Sequence, residues 1–229
     1  IPNGFNYNIF SLPPDLDSVL VENKSVAFLV IKDDSVRFEK YWGLGSENSK
    51  TNSFSMAKSI ISLLIGSAIS DGYISGVNQS IFDFLPEMSS FENHDVKIKH
   101  LLSMSSGLDW VENYKRPISV TSKSYYGKDL LSLVLSRRFI SEPGKKYKYL
   151  SGNTQLLGVI LERATGMSVS SYASVSLWSP IGAVNKASWA LDSEFGLEKT
   201  FCCFNSSARD FSKIGLLLLN GGRAYNNPV

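Results

Sequence analysis

The sequence predicts an α/β (α+β) protein in which a mixed body of strands and helices is joined to an all-helical lobe. Two runs of β-branched and aromatic residues, 26–32 and 35–42, flank an Asp-Asp pair and indicate a β-hairpin. A strongly apolar helical stretch, 52–72, follows the hairpin. Helical patterns then continue to about residue 180, before a final strand and helix. This order of elements is typical of a mixed body with an inserted helical lobe.

The predicted body comprises residues 1–75 and 185–229, and the predicted lobe comprises residues 76–184. The lobe is predicted from apolar runs that end at Pro or Gly. Its last long helix is expected to stop at Gly166, because glycine readily takes the left-handed conformation that ends a helix.

The last part of the chain predicts a strand and then an amphipathic helix. The strand is ASWALD, and the helix covers residues 206–222. Ser206 or Ser207 is expected to cap this helix, because a serine hydroxyl accepts a hydrogen bond from an N–H of the first turn. Four apolar residues at helical spacing are predicted to form one face: Ala208, Phe211, Ile214 and Leu218.

The composition indicates an ordinary globular protein of 229 residues, 43% hydrophobic and 19% charged. The formal net charge is +2, and the densest basic stretch, 145–148, is too short to follow a nucleic-acid backbone. We therefore expect no nucleic-acid partner. The longest apolar run, 60–69, is about half as long as a membrane span, so no membrane span is expected. A start at Ile1 rather than Met suggests a processed or trimmed N-terminus.

Neither the cysteines nor the histidines indicate a metal site or a catalytic histidine. Cys202 and Cys203 are adjacent and cannot close a loop between distant segments, so they say nothing firm about compartment. His94 and His100, without separated cysteines, do not make up a zinc ligand set. We interpret His100 as a packing residue rather than a general base, since the sequence has no Gly-x-Ser-x-Gly serine elbow.

The stretch 52–72 opens with a Ser-x-x-Lys pattern. Ser55 and Lys58 are three residues apart, so on a helix their side chains lie on one face, one turn apart. A serine hydroxyl needs a base to become a nucleophile, and an uncharged amine can take its proton. The helix N-terminus and the apolar residues behind it both disfavour a charged amine. The spacing alone leaves open an ordinary lysine that extends into water.

Several stretches resemble the serine β-lactamase and penicillin-binding-protein superfamily, namely SFSMAKSIISLLIG, IKHLLSMSSGLDW, EPGKKYKYLSGNTQLLGVILERATG and FCCFNSSARDFSKIGLLLLNGG. The sequence is most similar to the branch of esterases and 6-aminohexanoate-dimer hydrolases. The resemblance implies a β-lactamase/transpeptidase-like fold, with an antiparallel sheet flanked by helices. It also implies an acylated serine, a lysine base and a tyrosine that passes the proton to the leaving group. These roles fall on Ser55, Lys58 and Tyr149.

The second motif departs from the Tyr-x-Asn pattern of many family members. Counting back from residues 156–158 gives Tyr149 and then Ser151 at the position of the asparagine that contacts the substrate. The resemblance therefore makes Ser151 the expected substrate-binding residue, with a hydroxyl in place of an amide. This change disfavours turnover of β-lactams. A second register, with Ser151 and Asn153 as a Ser-x-Asn motif, stays open.

The family's third motif is a strand that supplies a second N–H to the oxyanion and follows the helix matched by residues 207–219. The sequence ends at Val229. Lys199-Thr200-Phe201 shares two letters with this motif, but it precedes that helix and lacks the glycine, so we interpret it as coincidence. The chain is therefore expected to be part of a longer protein, without its C-terminal strands.

The sequence thus predicts a serine acyl-hydrolase that acts through an acyl-enzyme on a small ester or amide, with no metal or organic cofactor. The alternatives are a penicillin-binding or sensor-type module that is acylated at Ser55 without turnover, and an inactive homologue. An extracytoplasmic location is favoured, and the oligomeric state stays open. Asp109-Trp110 either borders the cleft or packs in a loop, and Arg209-Asp210 is interpreted as an ion pair.

Overall fold

A computed structural model describes residues 1–91, 95–225 and 227–229 of the chain. His94 lies outside these residues. Contacts between residues divide the chain into two compact units. The first unit comprises Ile1–Asn52, Trp178–Ala187 and Asn205–Val229, and the second unit comprises Ser53–Leu177 and Ser188–Phe204. The predicted boundaries of body and lobe stay a prediction.

The described residues contain both helices and strands. In chain order they are α1 (Pro14–Glu22), β1 (Ala27–Lys32), β2 (Ser35–Tyr41), β3 (Lys50–Asn52), α2 (Ala57–Ser70), α3 (Ile98–Leu102), α4 (Val120–Tyr126), α5 (Leu130–Leu135), α6 (Ser151–Thr165), α7 (Val169–Ala173), β4 (Ser188–Trp189), β5 (Phe204–Ser207), α8 (Ala208–Leu219), β6 (Arg223–Ala224) and β7 (Asn227–Pro228). No helix within the described ranges is long and apolar enough to cross a membrane.

The predicted hairpin is confirmed in the first unit. Strands β1 and β2 pair antiparallel, with Ala27 opposite Tyr41 at the open end. Asp33 and Asp34 form the turn, and their φ values are 51° and 54°. Aspartate tolerates this left-handed conformation better than most residues, and two-residue hairpin loops commonly require it.

Helix α8 packs against β1 in the first unit, and its buried face is more polar than the sequence predicts. Ser207 is the N-cap, because its hydroxyl accepts a hydrogen bond from the N–H of Asp210. Asp210 and Lys213 are buried and lie 3.0 Å apart as an ion pair, from Oδ1 to Nζ. Ile214 is buried as predicted, whereas Leu218 is 57% exposed. The predicted apolar face is therefore wrong at Leu218.

Helix α2 lies in the second unit and packs against α6. The predicted stretch 52–72 begins as a 3₁₀ turn, Phe54–Met56, and continues as α2 to Ser70. Six small or apolar side chains of α2 are buried, so the helix packs on one side into the core of this unit. They are Ala57, Ile60, Ile61, Leu64, Ile65 and Ala68.

Helix α6 is almost entirely buried over its first three turns, and two glycines allow neighbours to approach its backbone. A β-carbon at Gly152 would lie 2.6 Å from the Trp110 ring, and one at Gly158 would lie 2.5 Å from Thr200 Oγ1. Both distances are shorter than any van der Waals contact. The helix ends at Thr165, and Gly166 follows with a φ of 70°, which confirms the predicted stop.

Candidate active site

The two residues of the Ser-x-x-Lys pattern meet at the start of α2. Ser55 lies in the 3₁₀ turn before the helix, and Lys58 is the second residue of the helix. Lys58 Nζ lies 3.2 Å from Ser55 Oγ, within hydrogen-bond distance. Phe54, just before the serine, has a φ of 44°, a conformation that a residue with a large side chain rarely adopts. The structure thus brings together the two side chains that the sequence pairs.

The Lys58 amine also contacts two aromatic residues of the second unit. Its Nζ donates a hydrogen bond of 2.7 Å to the backbone carbonyl of Phe201. It lies 5.0 Å from the centroid of the Tyr149 ring and 5.8 Å from that of the Phe201 ring. Both distances fall in the range of cation–π contacts. None of the ion pairs within the described residues includes Lys58.

Tyr149 stands two residues before α6, on a segment whose backbone is fixed. The N–H of Lys148 donates to the carbonyl of Met104 at 2.8 Å, and the N–H of Gly144 donates to the carbonyl of Ser105 at 2.7 Å. Leu150, which follows the tyrosine, is 1% exposed, whereas Tyr149 itself is 38% exposed. The tyrosine is therefore held next to Lys58 and still reaches solvent.

Ser151, the predicted substrate-binding residue, is the first residue of α6 and is fully buried. Its N–H donates to the carboxylate of Glu112. Its hydroxyl has no hydrogen-bond partner among the described residues. The structure therefore gives Ser151 no exposed surface, and its contact with a substrate stays a prediction.

Asn153, which the second register would place in the site, is also buried. Its Oδ1 accepts a hydrogen bond of 2.7 Å from Ser106 Oγ, and its Nδ2 lies 3.7 Å from the sulfur of Met104. Because both ends of this amide already have partners in the protein, the arrangement favours a packing role for Asn153.

Glu112 is a residue that sequence reasoning missed. Besides the N–H of Ser151, its carboxylate accepts a hydrogen bond of 2.9 Å from the hydroxyl of Tyr114. Burial and this hydrogen bond raise the pKa of Tyr114, so its hydroxyl stays protonated. No spacing rule marks Glu112, because it meets Ser151 across 39 positions of the chain.

Aromatic rings line the same region of the second unit. Tyr125 contacts Tyr114 and Phe201, with ring centroids 6.1 Å and 5.1 Å apart. Burial is the main cause that raises the pKa of Tyr125, followed by the negative charge of Glu112. The ring of Phe201, which contacts the Lys58 amine, thus belongs to a continuous aromatic cluster.

The other residues singled out in the sequence have structural contacts. His100 accepts a hydrogen bond of 3.1 Å at Nδ1 from the N–H of Lys97, and burial lowers its pKa. Trp110 is 1% exposed and packs on α6. The predicted Arg209-Asp210 ion pair is wrong, because neighbouring residues on a helix point in different directions. Arg209 instead pairs with Glu39 and Glu47, and Asp210 pairs with Lys213.

The two adjacent cysteines are joined to each other. Cys202 and Cys203 form a disulfide, a bridge between neighbours that sequence reasoning did not anticipate. With Phe201 and Leu130 they form a buried apolar cluster. The bridge therefore begins one residue after the carbonyl that binds the Lys58 amine.

The chain matches a known protein family. The family model Beta-lactamase matches residues 19–195, which is more than half of the chain. The chain therefore belongs to the beta-lactamase family, and the resemblance and the β-lactamase/transpeptidase-like fold expected from the sequence are confirmed.

Among curated relatives, the chain is similar to the 6-aminohexanoate-dimer hydrolase of Paenarthrobacter ureafaciens, with 26% identity across 94% of this chain and 57% of that protein. A solved structure of a candidate 6-aminohexanoate-dimer hydrolase from Bacillus anthracis matches with a TM-score of 0.82 and 22% identity, covering 93% of this chain and 58% of the other. A penicillin-binding protein from Bacillus halodurans matches with a TM-score of 0.71 and 17% identity, covering 90% and 74%. The chain thus spans less than two thirds of the first two proteins.

Proposed function

We propose that the protein is a serine acyl-hydrolase that acts through an acyl-enzyme on Ser55. Lys58, in its uncharged form, takes the proton of the Ser55 hydroxyl, and Oγ attacks the carbonyl carbon of an ester or amide. Tyr149 passes a proton to the leaving alcohol or amine as the acyl bond breaks. Water then attacks the acyl-serine and releases the acid. Only side chains and water take part in these steps.

The observation that supports this proposal most strongly is the distance of 3.2 Å between Lys58 Nζ and Ser55 Oγ. An uncharged amine has two N–H groups and one lone pair. The Phe201 carbonyl accepts one N–H at 2.7 Å, which restricts rotation of the amine. The lone pair is then free to accept the serine proton over a hydrogen-bond distance.

The surroundings of the amine also suit a base. A carboxylate next to a lysine favours the charged ammonium form, which has no lone pair. Within the described residues Lys58 takes part in no such ion pair. Tyr149, whose ring centroid lies 5.0 Å from Nζ, supplies a hydroxyl that can exchange protons with the amine and with the leaving group.

For the substrate, we propose a small carboxylic ester or a linear amide. The name of the Paenarthrobacter relative specifies a 6-aminohexanoate dimer, so linear amides form the second class to test. We keep Ser151 as the proposed substrate contact. Because Ser151 is fully buried, this role requires a local rearrangement at the start of α6 when the substrate binds.

Mass spectrometry with p-nitrophenyl acetate tests the proposal. We expect p-nitrophenolate release and a transient adduct of one acetyl group on the peptide that contains Ser55. Ser55→Ala should lose both signals, whereas Ser59→Ala, at an exposed position in the first turn of α2, should keep them. A lasting adduct with a penicillin and no release of product would favour the penicillin-binding module. An adduct that persists in Ser55→Ala would contradict the role of Ser55.

A further inference from the structure

The cysteine bridge and the Lys58 amine are linked through one backbone carbonyl. Phe201, whose carbonyl accepts the hydrogen bond from Lys58 at 2.7 Å, immediately precedes Cys202. Cys202 is fully buried and Cys203 is 8% exposed. The disulfide therefore lies inside the second unit, at the end of the segment that holds the proposed base.

The turn that contains the bridge is held on both sides by hydrogen bonds. The carbonyl of Cys202 accepts from Trp189 Nε1 at 3.0 Å, and the carbonyl of Cys203 accepts from the N–H of Ala190 at 3.0 Å. The N–H of Cys202 donates to the carbonyl of Lys199 at 3.0 Å. These bonds hold the turn through its backbone, and the bridge adds a covalent constraint on the two cysteine residues.

Cys203 has a φ of 66°, in the left-handed region that is costly for a residue with a β-carbon. A covalent ring between two neighbouring side chains restricts the backbone torsions of both residues. Without the ring, Cys203 gains free energy by returning to a negative φ. We expect such a change to strain the hydrogen bonds of the turn and to displace the Phe201 carbonyl from the amine.

On the basis of the proposed function, we propose that the Cys202–Cys203 disulfide is a positioning element for Lys58. With the bridge closed, the Phe201 carbonyl directs the amine toward Ser55. With the bridge open, this direction is lost and acylation of Ser55 slows. The activity of the protein then depends on the oxidation state of its only two cysteines.

Opening the bridge needs a two-electron reductant, and a small dithiol supplies it. One thiolate of the dithiol attacks a cysteine sulfur, breaks the S–S bond and forms a mixed disulfide. The second thiol then displaces the protein sulfur and closes a disulfide within the reagent. Two protein thiols result, and the reagent is oxidised. Because both cysteines are buried, we expect a small reagent to react more readily than a protein reductant.

The alternative is that the bridge has only a packing role in the buried apolar cluster that includes Leu130. Two double variants separate this alternative from a positioning role. Cys202→Ala with Cys203→Ala removes the bridge and keeps a β-carbon at position 203, which disfavours the left-handed turn. Cys202→Ala with Cys203→Gly also removes the bridge, but glycine adopts a positive φ without strain. The variants differ by one methyl group, so a packing role predicts equal activities.

The experiment measures kcat and KM for p-nitrophenyl acetate with and without dithiothreitol, while alkylation and mass spectrometry count the free thiols. We expect reduction to lower kcat/KM, which reports on acylation, roughly tenfold, with recovery on reoxidation, because small misplacement of a catalytic group has effects of this size or larger. The Ala/Ala variant should match the reduced protein, and the Ala/Gly variant should stay near the oxidised one. Neither variant should respond to dithiothreitol.

Three results would overturn the positioning role. They are two free thiols in the protein before any reductant is added, an unchanged kcat/KM after both thiols are shown to be free, and equal kcat/KM values in the two double variants. If the bridge resists reduction in the folded protein, the two variants decide the question. A failure of the proposed function gives a different result, because Ser55 is then not acylated in any of these proteins.

Discussion

Two cationic side chains of this chain have opposite surroundings. Arg209, in the first unit, donates to Glu39 at 2.9 Å through Nε and forms an ion pair of 2.9 Å with Glu47 through a terminal nitrogen. Glu39 also accepts hydrogen bonds from Tyr7 and Tyr41. Lys58, in the second unit, contacts a serine hydroxyl, a carbonyl and two rings.

The partners of these two cations suggest different roles, because Arg209 pairs with carboxylates and Lys58 does not. A buried carboxylate stabilises a cation in its charged state and is itself costly to leave unpaired. Glu39 and Glu47 thus hold the charged guanidinium of Arg209 in place. Removal of this guanidinium leaves the buried Glu39 carboxylate unpaired. Lys58 has no carboxylate partner within the described residues, so its removal leaves no buried negative charge unpaired. We therefore expect changes at the first site to affect stability and changes at the second to affect catalysis.

The largest expected effect is that of Lys58→Ala on catalysis. Removal of a general base lowers rates by about 10²- to 10⁴-fold, so we expect kcat/KM for p-nitrophenyl acetate to fall by roughly 10³-fold. The free energy of unfolding should change by about 1 kcal/mol or less, because no ion pair is lost. Lys99→Ala, at an exposed position in α3, is the control. Activity within a few-fold of the wild type would remove Lys58 as the base.

Arg209→Met should show the reverse pattern. The variant leaves the buried Glu39 carboxylate without its cation, which typically costs about 3 kcal/mol or more of stability. Urea unfolding measures this loss, and kcat/KM per folded molecule should stay within about twofold of the wild type. Arg37→Met removes an ion pair with Asp33 that is largely exposed and should cost under about 1 kcal/mol. Equal losses of stability in Arg209→Met and Arg37→Met would contradict the expected difference between the buried and the exposed ion pair.

Tyr149→Phe tests the proton transfer to the leaving group. The variant keeps the aromatic ring beside the amine and removes only the hydroxyl, so we expect kcat to fall by about 30- to 100-fold. The loss should be smaller for p-nitrophenyl esters than for amides, since p-nitrophenolate leaves without needing a proton. Tyr147→Phe, at a residue 69% exposed, serves as the control. A loss that is equal for ester and amide would argue against this role.

The smallest expected effect concerns acid stability. Burial tends to raise the pKa of Glu39, but hydrogen bonds from Arg209, Tyr7 and Tyr41 outweigh it and hold the pKa below its ordinary value of 4.5. A carboxyl whose pKa is lower in the folded state stabilises the protein above the unfolded pKa, and this stabilisation is lost as pH falls through the folded pKa.

Glu39→Gln should therefore flatten the loss of stability on acidification. Between about pH 6 and pH 3, we expect the decrease in unfolding free energy to be smaller by about 1 kcal/mol in the variant. Urea unfolding at both pH values measures the difference. Glu142→Gln, which removes a carboxylate from an exposed ion pair with Lys145, should leave the decrease unchanged. An unchanged decrease in Glu39→Gln would exclude Glu39 as a contributor.

Local patterns determined much of this protein. The spacing of Ser55 and Lys58 was enough to predict their proximity, because helical turns fix which residues share a face. The hairpin and the stop at Gly166 followed from turn chemistry. The position of Tyr149 came from the family resemblance, since it lies far along the chain from the serine.

Tertiary structure decided the contacts that no local rule encodes. The carbonyl that binds the Lys58 amine belongs to Phe201, 143 positions away, so no local sequence pattern predicts this hydrogen bond. The burial of Asp210 with Lys213 depends on the packing of α8, which buries a pair of charges beside Ile214, although neither residue belongs to the predicted apolar face. Sequence alone thus predicted the proximity of Ser55 and Lys58 through short-range geometry. The fold supplied their surroundings, because hydrogen bonds and burial depend on which distant segments meet.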